Sequence, residues 1–208
     1  MAKNKLNKSW VNRHVNDHFV HLANKNGYRS RAAYKLLEFE DEYNLFKNVN
    51  VVVDLGCAPG SWSQVAIKCL KKTSNHSLLI GVDLLNTKPI DGLTFICGDF
   101  SSEDIINQLV ESLGGHKPDL IISDIAPEFS GVKSVDQVKS AYLVELVLDF
   151  AQNYLKIGGN LLVKIFHGSE FENLVKLARS IFTQVLIKKP QASRTESAEI
   201  YLLCKSKK

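Results

Sequence analysis

The sequence predicts an α/β protein with a Rossmann-like fold. It is expected to be a seven-stranded, mostly parallel sheet with one antiparallel strand in the edge region and helices on both faces. Three observations lead there. From residue 51 onward, short apolar runs alternate with helical stretches. The early runs are nearly continuous in aliphatic residues, as strands are when helices cover both faces. The last two runs are separated only by KPQASRTES, residues 189–197. That link is too short for a parallel crossover and implies an antiparallel pair.

The elements follow in order. Residues 10–22 hold a weakly periodic stretch that can form a short helix. Ser30 is placed as an N-cap for a helix running to Tyr43, with Ala33, Leu36 and Leu37 as its apolar stripe. Strands are expected at 51–55, 78–83, 93–97, 120–124, 160–166, 183–189 and 198–204. Helices are expected near 61–72, 102–113, 135–156 and 168–181.

The chain has 208 residues, 45% apolar and 23% charged. That suits one domain with a substantial core, here 29–208, preceded by a basic segment at 1–28. The most apolar stretch, 141–151, contains Glu145 and Asp149, so no membrane span is expected. No apolar core of a signal peptide follows the basic N-terminus, which points to the cytoplasm. Cys57, Cys69, Cys97 and Cys204 have no metal-ligand spacing and read as reduced thiols, with no metal. The net charge of +4 is uneven. Residues 1–31 carry Lys3, Lys5, Lys8, Arg13, Lys25, Arg29 and Arg31 against Asp17 alone. Such a front end can serve as an electrostatic arm for a polyanion or simply as a solvated tail.

The first strand runs into Gly56-Cys57-Ala58-Pro59-Gly60-Ser61-Trp62. Small residues at the carboxyl end of a central strand let a ligand approach the backbone. The spacing is G-x-x-x-G. It is neither the dinucleotide G-x-G-x-x-G nor a phosphate-binding P-loop. A zwitterionic methionine moiety joined to a nucleoside needs no phosphate cradle, so the loop suits S-adenosylmethionine. Asp83 ends the second strand, where an acid can accept both ribose hydroxyls. Asp99 follows the third strand and can receive an adenine amino group, with Phe100 beside the ring. Trp62 either packs under the loop or lines the cofactor pocket. This pattern, with seven strands, fits a methyltransferase-type fold better than a plain dinucleotide domain.

Two charges stand out on the later strands. Lys164 interrupts the aliphatic run LLVKIF, where a lysine is costly unless paired or functional. Asp124 closes the fourth strand beside the expected cofactor mouth. Glu199 sits on the same strand face as Tyr201 and Leu203 and, by itself, reads as an edge charge.

Taken together, SRAAYKL, DLGCAPGSWSQ, GVDLL, GDF, SDIAPEFSG, YLVELVL, GGNLLVKIFHG and SRTESAEIYLL resemble the FtsJ/RrmJ family of RNA ribose 2′-O-methyltransferases. The resemblance runs in order from about Trp10 almost to the C-terminus. Its compact length is similar to the bacterial members that modify a uridine of 23S ribosomal RNA. The resemblance implies a catalytic tetrad of Lys35, Asp124, Lys164 and Glu199. Glu196 competes for the last place, and Glu199 is preferred because the residues after it match the strand. It also implies S-adenosylmethionine contacts at Gly60, Trp62, Asp83, Asp99 and Asp124. Gly56, Ala58, Pro59, Leu84 and Phe100 complete that expected set. Cys57 and Ser61 depart from the alanine and glycine common in the family, and both are small. Glu128-Phe129 stands where an amide and a methionine are usual, which bears on RNA contacts.

The implied reaction is in-line methyl transfer to a ribose oxygen, with Lys164 as general base or proton relay. Asp124 and Glu199 would stabilise or orient the lysines, so a neutral-lysine base and electrostatic steering both stay open. The implied partner is ribosomal RNA in the large ribosomal subunit, bound through the basic segment and Arg31, with Lys188, Lys189 and Arg194 as further contacts. A monomer is expected. The alternatives are a tRNA anticodon-loop substrate, a non-catalytic ribosome-assembly protein and a nicotinamide-dependent oxidoreductase.

Overall fold

The computed structural model describes residues 17–73 and 77–208. Most of the basic segment, and the first part of the weak helical stretch at 10–22, lie outside the described residues. The remainder of that stretch is α1, His18–Lys25, capped by the Asp17 carboxylate, which accepts from the Phe19 amide at 3.0 Å.

The elements then run α2 (Ala33–Tyr43), β1 (Val51–Leu55), α3 (Ser61–Thr73), β2 (Leu78–Asp83), β3 (Thr94–Cys97) and α4 (Glu103–Ser112). β4 (Leu120–Ser123), α5 (Lys133–Tyr154), β5 (Asn160–Phe166), α6 (Phe171–Ile181), β6 (Phe182–Lys188) and β7 (Glu199–Lys207) follow. α2 starts three residues after Ser30. The Ser30 hydroxyl accepts from the Ala32 amide and holds a preceding turn, so the cap acts one turn early. α2 ends at Asn44, whose φ of 51° is the left-handed conformation that stops a helix.

The seven strands form one sheet in the order β3-β2-β1-β4-β5-β7-β6. β1 to β5 pair in parallel, and β7 is antiparallel to both β5 and β6. The reversed strand is therefore inserted between β5 and β6, one place in from the edge. The chain direction across the sheet switches between β1 and β4, the place where open α/β sheets hold ligands at the carboxyl ends of their strands.

Side-chain alternation splits the core in two. Val51, Val53 and Leu55 point to the face covered by α4, α5 and α6. Val52, Leu79, Leu162, Tyr201 and Leu203 point to the face covered by α2 and α3. Every residue of β1 is buried, which accounts for its unbroken apolar run apart from Asp54. Among the described residues, no helix is long and apolar enough to cross a membrane. Among those same described residues, no cluster of His, Cys, Asp and Glu is placed to hold a metal ion.

Candidate active site

The loop after β1 turns sharply over the switch point. Gly56 has φ +76°, and a Cβ there would sit 2.6 Å from the Ile125 backbone. Gly60 has φ +103°, and a Cβ would meet Ile90 at 2.4 Å and Arg29 at 3.0 Å. At Gly56 a side chain would meet backbone, and at Gly60 the left-handed backbone disfavours one. The amide of Ala58 donates to Asp83 Oδ2 at 2.8 Å, and the amide of Leu85 donates to Oδ1 at 2.8 Å. Asp83 thus ties the β1 loop to the β2 loop, and its oxygens keep lone pairs for a ligand. Leu84, 67% exposed, leaves an apolar edge beside it. Asp99 is exposed beyond β3, with Oδ1 accepting from the Ser101 amide and hydroxyl.

Two members of the expected cofactor set are placed differently from a pocket wall. The indole of Trp62 is buried under α2, donating from Nε1 to the Ala32 carbonyl at 2.7 Å and lying against Tyr201. What Trp62 presents to the loop is its amide, in the first turn of α3, where helices leave N–H groups unpaired. Phe100 is also a core residue, 3% exposed and edge-on to Phe150 at 5.6 Å. Its ring packs in the core beneath α4 and α5.

The carboxyl ends of the strands have a marked charge pattern. Asp54 is fully buried, its Oδ2 accepts from Ser63 Oγ at 2.6 Å, and its Oδ1 has no hydrogen-bond partner. Burial pushes its carboxyl up to about 7 against the Ser63 hydrogen bond, and the nearby Asp124 and Asp83 charges add to the rise. Three carboxylates on adjacent strand ends, one with an unsatisfied buried oxygen, favour a ligand carrying positive charge. Together with the small-residue loop, this fits the sulfonium and ammonium of S-adenosylmethionine joined to a nucleoside. Gly56, Ala58, Pro59, Gly60 and the Trp62 amide would hold its amino-acid portion. Asp83, Leu84 and Asp99 would hold its nucleoside.

Next to these strand ends the four charged residues expected from the sequence converge. Lys164, 6% exposed, reaches Asp124 Oδ1 at 3.0 Å and also donates to the Asp124 carbonyl at 2.5 Å. Lys35 projects from α2 and pairs with Glu199 Oε1 at 2.8 Å and Asp124 Oδ1 at 3.8 Å. Glu199 is the partner, whereas Glu196 is exposed in the preceding loop. Burial raises the Asp124 carboxyl, but the Lys164 and Lys35 charges and the Tyr201 hydroxyl outweigh it, so its pKa lies below the ordinary value.

The centre of this network is a residue for which the sequence suggests no role. Tyr201 is fully buried, donates to Asp124 Oδ1 at 2.7 Å and accepts from Lys35 Nζ at 3.0 Å. Burial and the flanking Asp124 and Glu199 carboxylates raise its pKa well above the ordinary tyrosine value, so it remains a donor. The available signal was strand periodicity. Glu199 and Tyr201 share a face of β7, and register sets Tyr201 opposite Lys164.

Arg29 is another surprise. Its Nη1 donates to Pro59 O, Thr87 Oγ1 and Lys88 O, each at 2.8 Å, and its Nη2 donates to Pro89 O at 2.9 Å. It clamps the loop after β1 to the loop after β2. Several cations expected to meet RNA are likewise engaged internally. Arg31 pairs with Asp17 at 2.8 Å and Arg194 approaches the same carboxylate at 3.7 Å. Lys188 pairs with Glu42, and Lys189 donates to the Thr195 and Ser197 carbonyls.

Comparison with known proteins gives a consistent picture. The family model of FtsJ-like methyltransferases matches residues 28–207. The chain is 49% identical to ribosomal RNA large subunit methyltransferase E of Methylobacillus flagellatus, over 98% of this chain and 97% of that protein. It is 45% identical to the protein of the same name from Chromobacterium violaceum, over the full length of both. Among solved structures, a ribosomal RNA methyltransferase from Plasmodium falciparum superposes with a TM-score of 0.75 at 36% identity, covering 86% of this chain and 98% of that one.

Proposed function

This chain belongs to the FtsJ-like methyltransferase family and is a methyltransferase, and from that premise we propose that it methylates a ribose 2′-hydroxyl of ribosomal RNA with S-adenosylmethionine. Its substrate is a uridine of 23S ribosomal RNA in the large subunit, and it works in the cytoplasm where that RNA is found. The names of relatives that match end to end favour this substrate over a tRNA anticodon loop.

The observation that carries the reading is the ion network. Lys35, Asp124, Lys164 and Glu199 meet at the carboxyl ends of β4 and β5, beside a loop built for a small cationic nucleoside ligand. A buried network of this kind is not needed for packing. Apolar residues of similar volume commonly do as well or better.

The cofactor supplies an electrophilic methyl group on a positively charged sulfur, a good leaving group. The chain's task is to place a ribose oxygen in line with it. Lys164 carries three N–H donors, of which Asp124 takes two through its carboxylate and carbonyl. The third is available to hold the ribose oxygen. Lys35, held by Glu199 and Tyr201, keeps Asp124 aligned from the other side. The hydroxyl proton becomes acidic as the new C–O bond forms. That proton is lost to solvent, because Lys164 with all three N–H groups engaged has no lone pair to accept it and acts by holding the oxygen. This arrangement favours steering by a paired lysine over attack by a free neutral base.

The decisive experiment is mass-spectrometric mapping of ribose methylation in total RNA from cells with and without the gene, complemented by wild type or Lys164→Ala. One 23S uridine should lose its methyl group in the deletion strain and regain it only with wild type. An unchanged methylation map would overturn the reading.

A further inference from the structure

Between the ion network and the first turn of α5 lies an open groove of about 270 Å³ lined by Phe129, Phe166, His167, Gln137, Ser140 and Lys133. We propose that the Phe129–Phe166 pair in this groove is the stacking platform for the base of the nucleotide being methylated. The inference rests on the RNA reading above and assigns that site its base-holding element.

The two rings lie edge-to-face, with centroids 5.8 Å apart and planes at 87°. Phe166 is two residues beyond Lys164 on β5, and Lys164 Nζ lies 5.8 Å from the centroid of its ring. A ribose held at Nζ therefore has its own base within reach of this groove. Phe129 is 55% exposed, an unusual placement for a phenylalanine. Its loop is nonetheless anchored. The Ser130 amide and hydroxyl each donate to Asp136 Oδ1 at 2.7 Å, and the Gly131 amide donates to Oδ2 at 3.1 Å. The backbone next to the ring is thus tied to α5, while the ring itself is largely uncovered. Proteins that act on single nucleotides expose the base and stack it on aromatic side chains, and a largely uncovered ring on an anchored loop beside the reacting lysine supplies such a surface. Gln137 and Lys133 at the same groove can address the base edge and a phosphate.

The test uses the full-length enzyme and large ribosomal subunits from cells lacking the gene, with incorporation of labelled methyl groups as the readout. Phe129→Ala should lower kcat/KM about 10-fold or more, the equivalent of one base–aromatic stack. Phe129→Trp should restore it. Phe129→Leu, of similar bulk but without a π face, should not. Affinity for S-adenosylhomocysteine by calorimetry and the melting temperature should stay at wild-type values in all three, because the ring lies outside the core and the cofactor loop. Wild-type kcat/KM in Phe129→Ala overturns the platform, as does rescue by leucine equal to that by tryptophan. Failure of the wild-type enzyme itself to methylate these subunits is a different result. It removes the RNA reading, and the platform falls with it.

Discussion

Two aspartates at the ends of neighbouring strands, Asp54 on β1 and Asp124 after β4, show how one physical cost is met in opposite ways. Burial disfavours the charge on both. Two lysines and a tyrosine hydroxyl reverse that at Asp124, whereas Asp54 has a single serine hydroxyl. Their linkage to stability therefore differs in sign. Asp124 contributes stability above the ordinary carboxylate range and loses it as pH falls through its lowered folded pKa. Asp54, raised to about 7, binds a proton in the folded state that the unfolded chain has already lost. Stability is therefore lost as pH rises from about 4 to 7, and the loss persists above. Asp54→Asn keeps an acceptor for Ser63 and should be more stable than wild type at pH 8, by ~2–4 kcal/mol. The two should converge near pH 4. Melting curves across this range check it, and a difference that does not vary with pH would contradict it. At Lys164 the expectation concerns chemistry. Lys164→Ala should abolish turnover while S-adenosylhomocysteine affinity changes less than about threefold. It should cost ~1–3 kcal/mol of stability, because Asp124 loses its nearest cation but keeps Lys35 and Tyr201. Retained turnover would remove Lys164 from the mechanism.

The elements most tightly bound to function are the loops at the strand ends. Arg29 precedes α2 and gathers four acceptors from Pro59 and residues 87–89. The loop carrying Gly56 and Gly60 thereby depends on a side chain from a distant part of the chain. Arg29→Ala should weaken cofactor binding about 10-fold or more by calorimetry, with the fold retained. Arg29→Lys should not restore it, since an ammonium cannot span the same fork of carbonyls. Lysine rescue to wild-type affinity would show that charge alone matters at this position. The strand elements carry the other half of the site. β7 supplies Glu199 and Tyr201, β5 supplies Lys164, and their antiparallel register sets Tyr201 beside Lys164. That register is strongly specified, because a one-residue slip would turn both side chains to the opposite face.

At the scale of the whole molecule, charge and connectivity decide how RNA is met. The basic residues clustered in 1–31 remain the main electrostatic feature of the sequence, yet Arg29 and Arg31 spend their charge inside the fold. RNA binding should weaken steeply with salt while S-adenosylhomocysteine binding hardly changes. Deleting residues 1–16 should flatten the salt dependence of RNA affinity and leave cofactor affinity intact. Parallel loss of both would mark a folding defect instead. Much of this protein was legible from its residues in order. Nearly continuous aliphatic runs marked the central strands, because helices bury both of their faces, and apolar periodicity marked the helices between them. The glycine spacing and the lysine within LLVKIF marked the sharp loop after β1 and the buried ion network, because small residues and buried charges are conspicuous against aliphatic runs. What the chain order could not reveal was which partner each charge would find. Tyr201 became the hub, Arg29 became a clamp, and Arg31, Lys188 and Arg194 turned to carboxylates, while Trp62 and Phe100 went into the core. Those assignments depend on contacts between residues from 14 to more than 160 positions apart. Only the packed sheet and helices bring such residues within hydrogen-bonding distance, where desolvation and Coulomb attraction select the pairs.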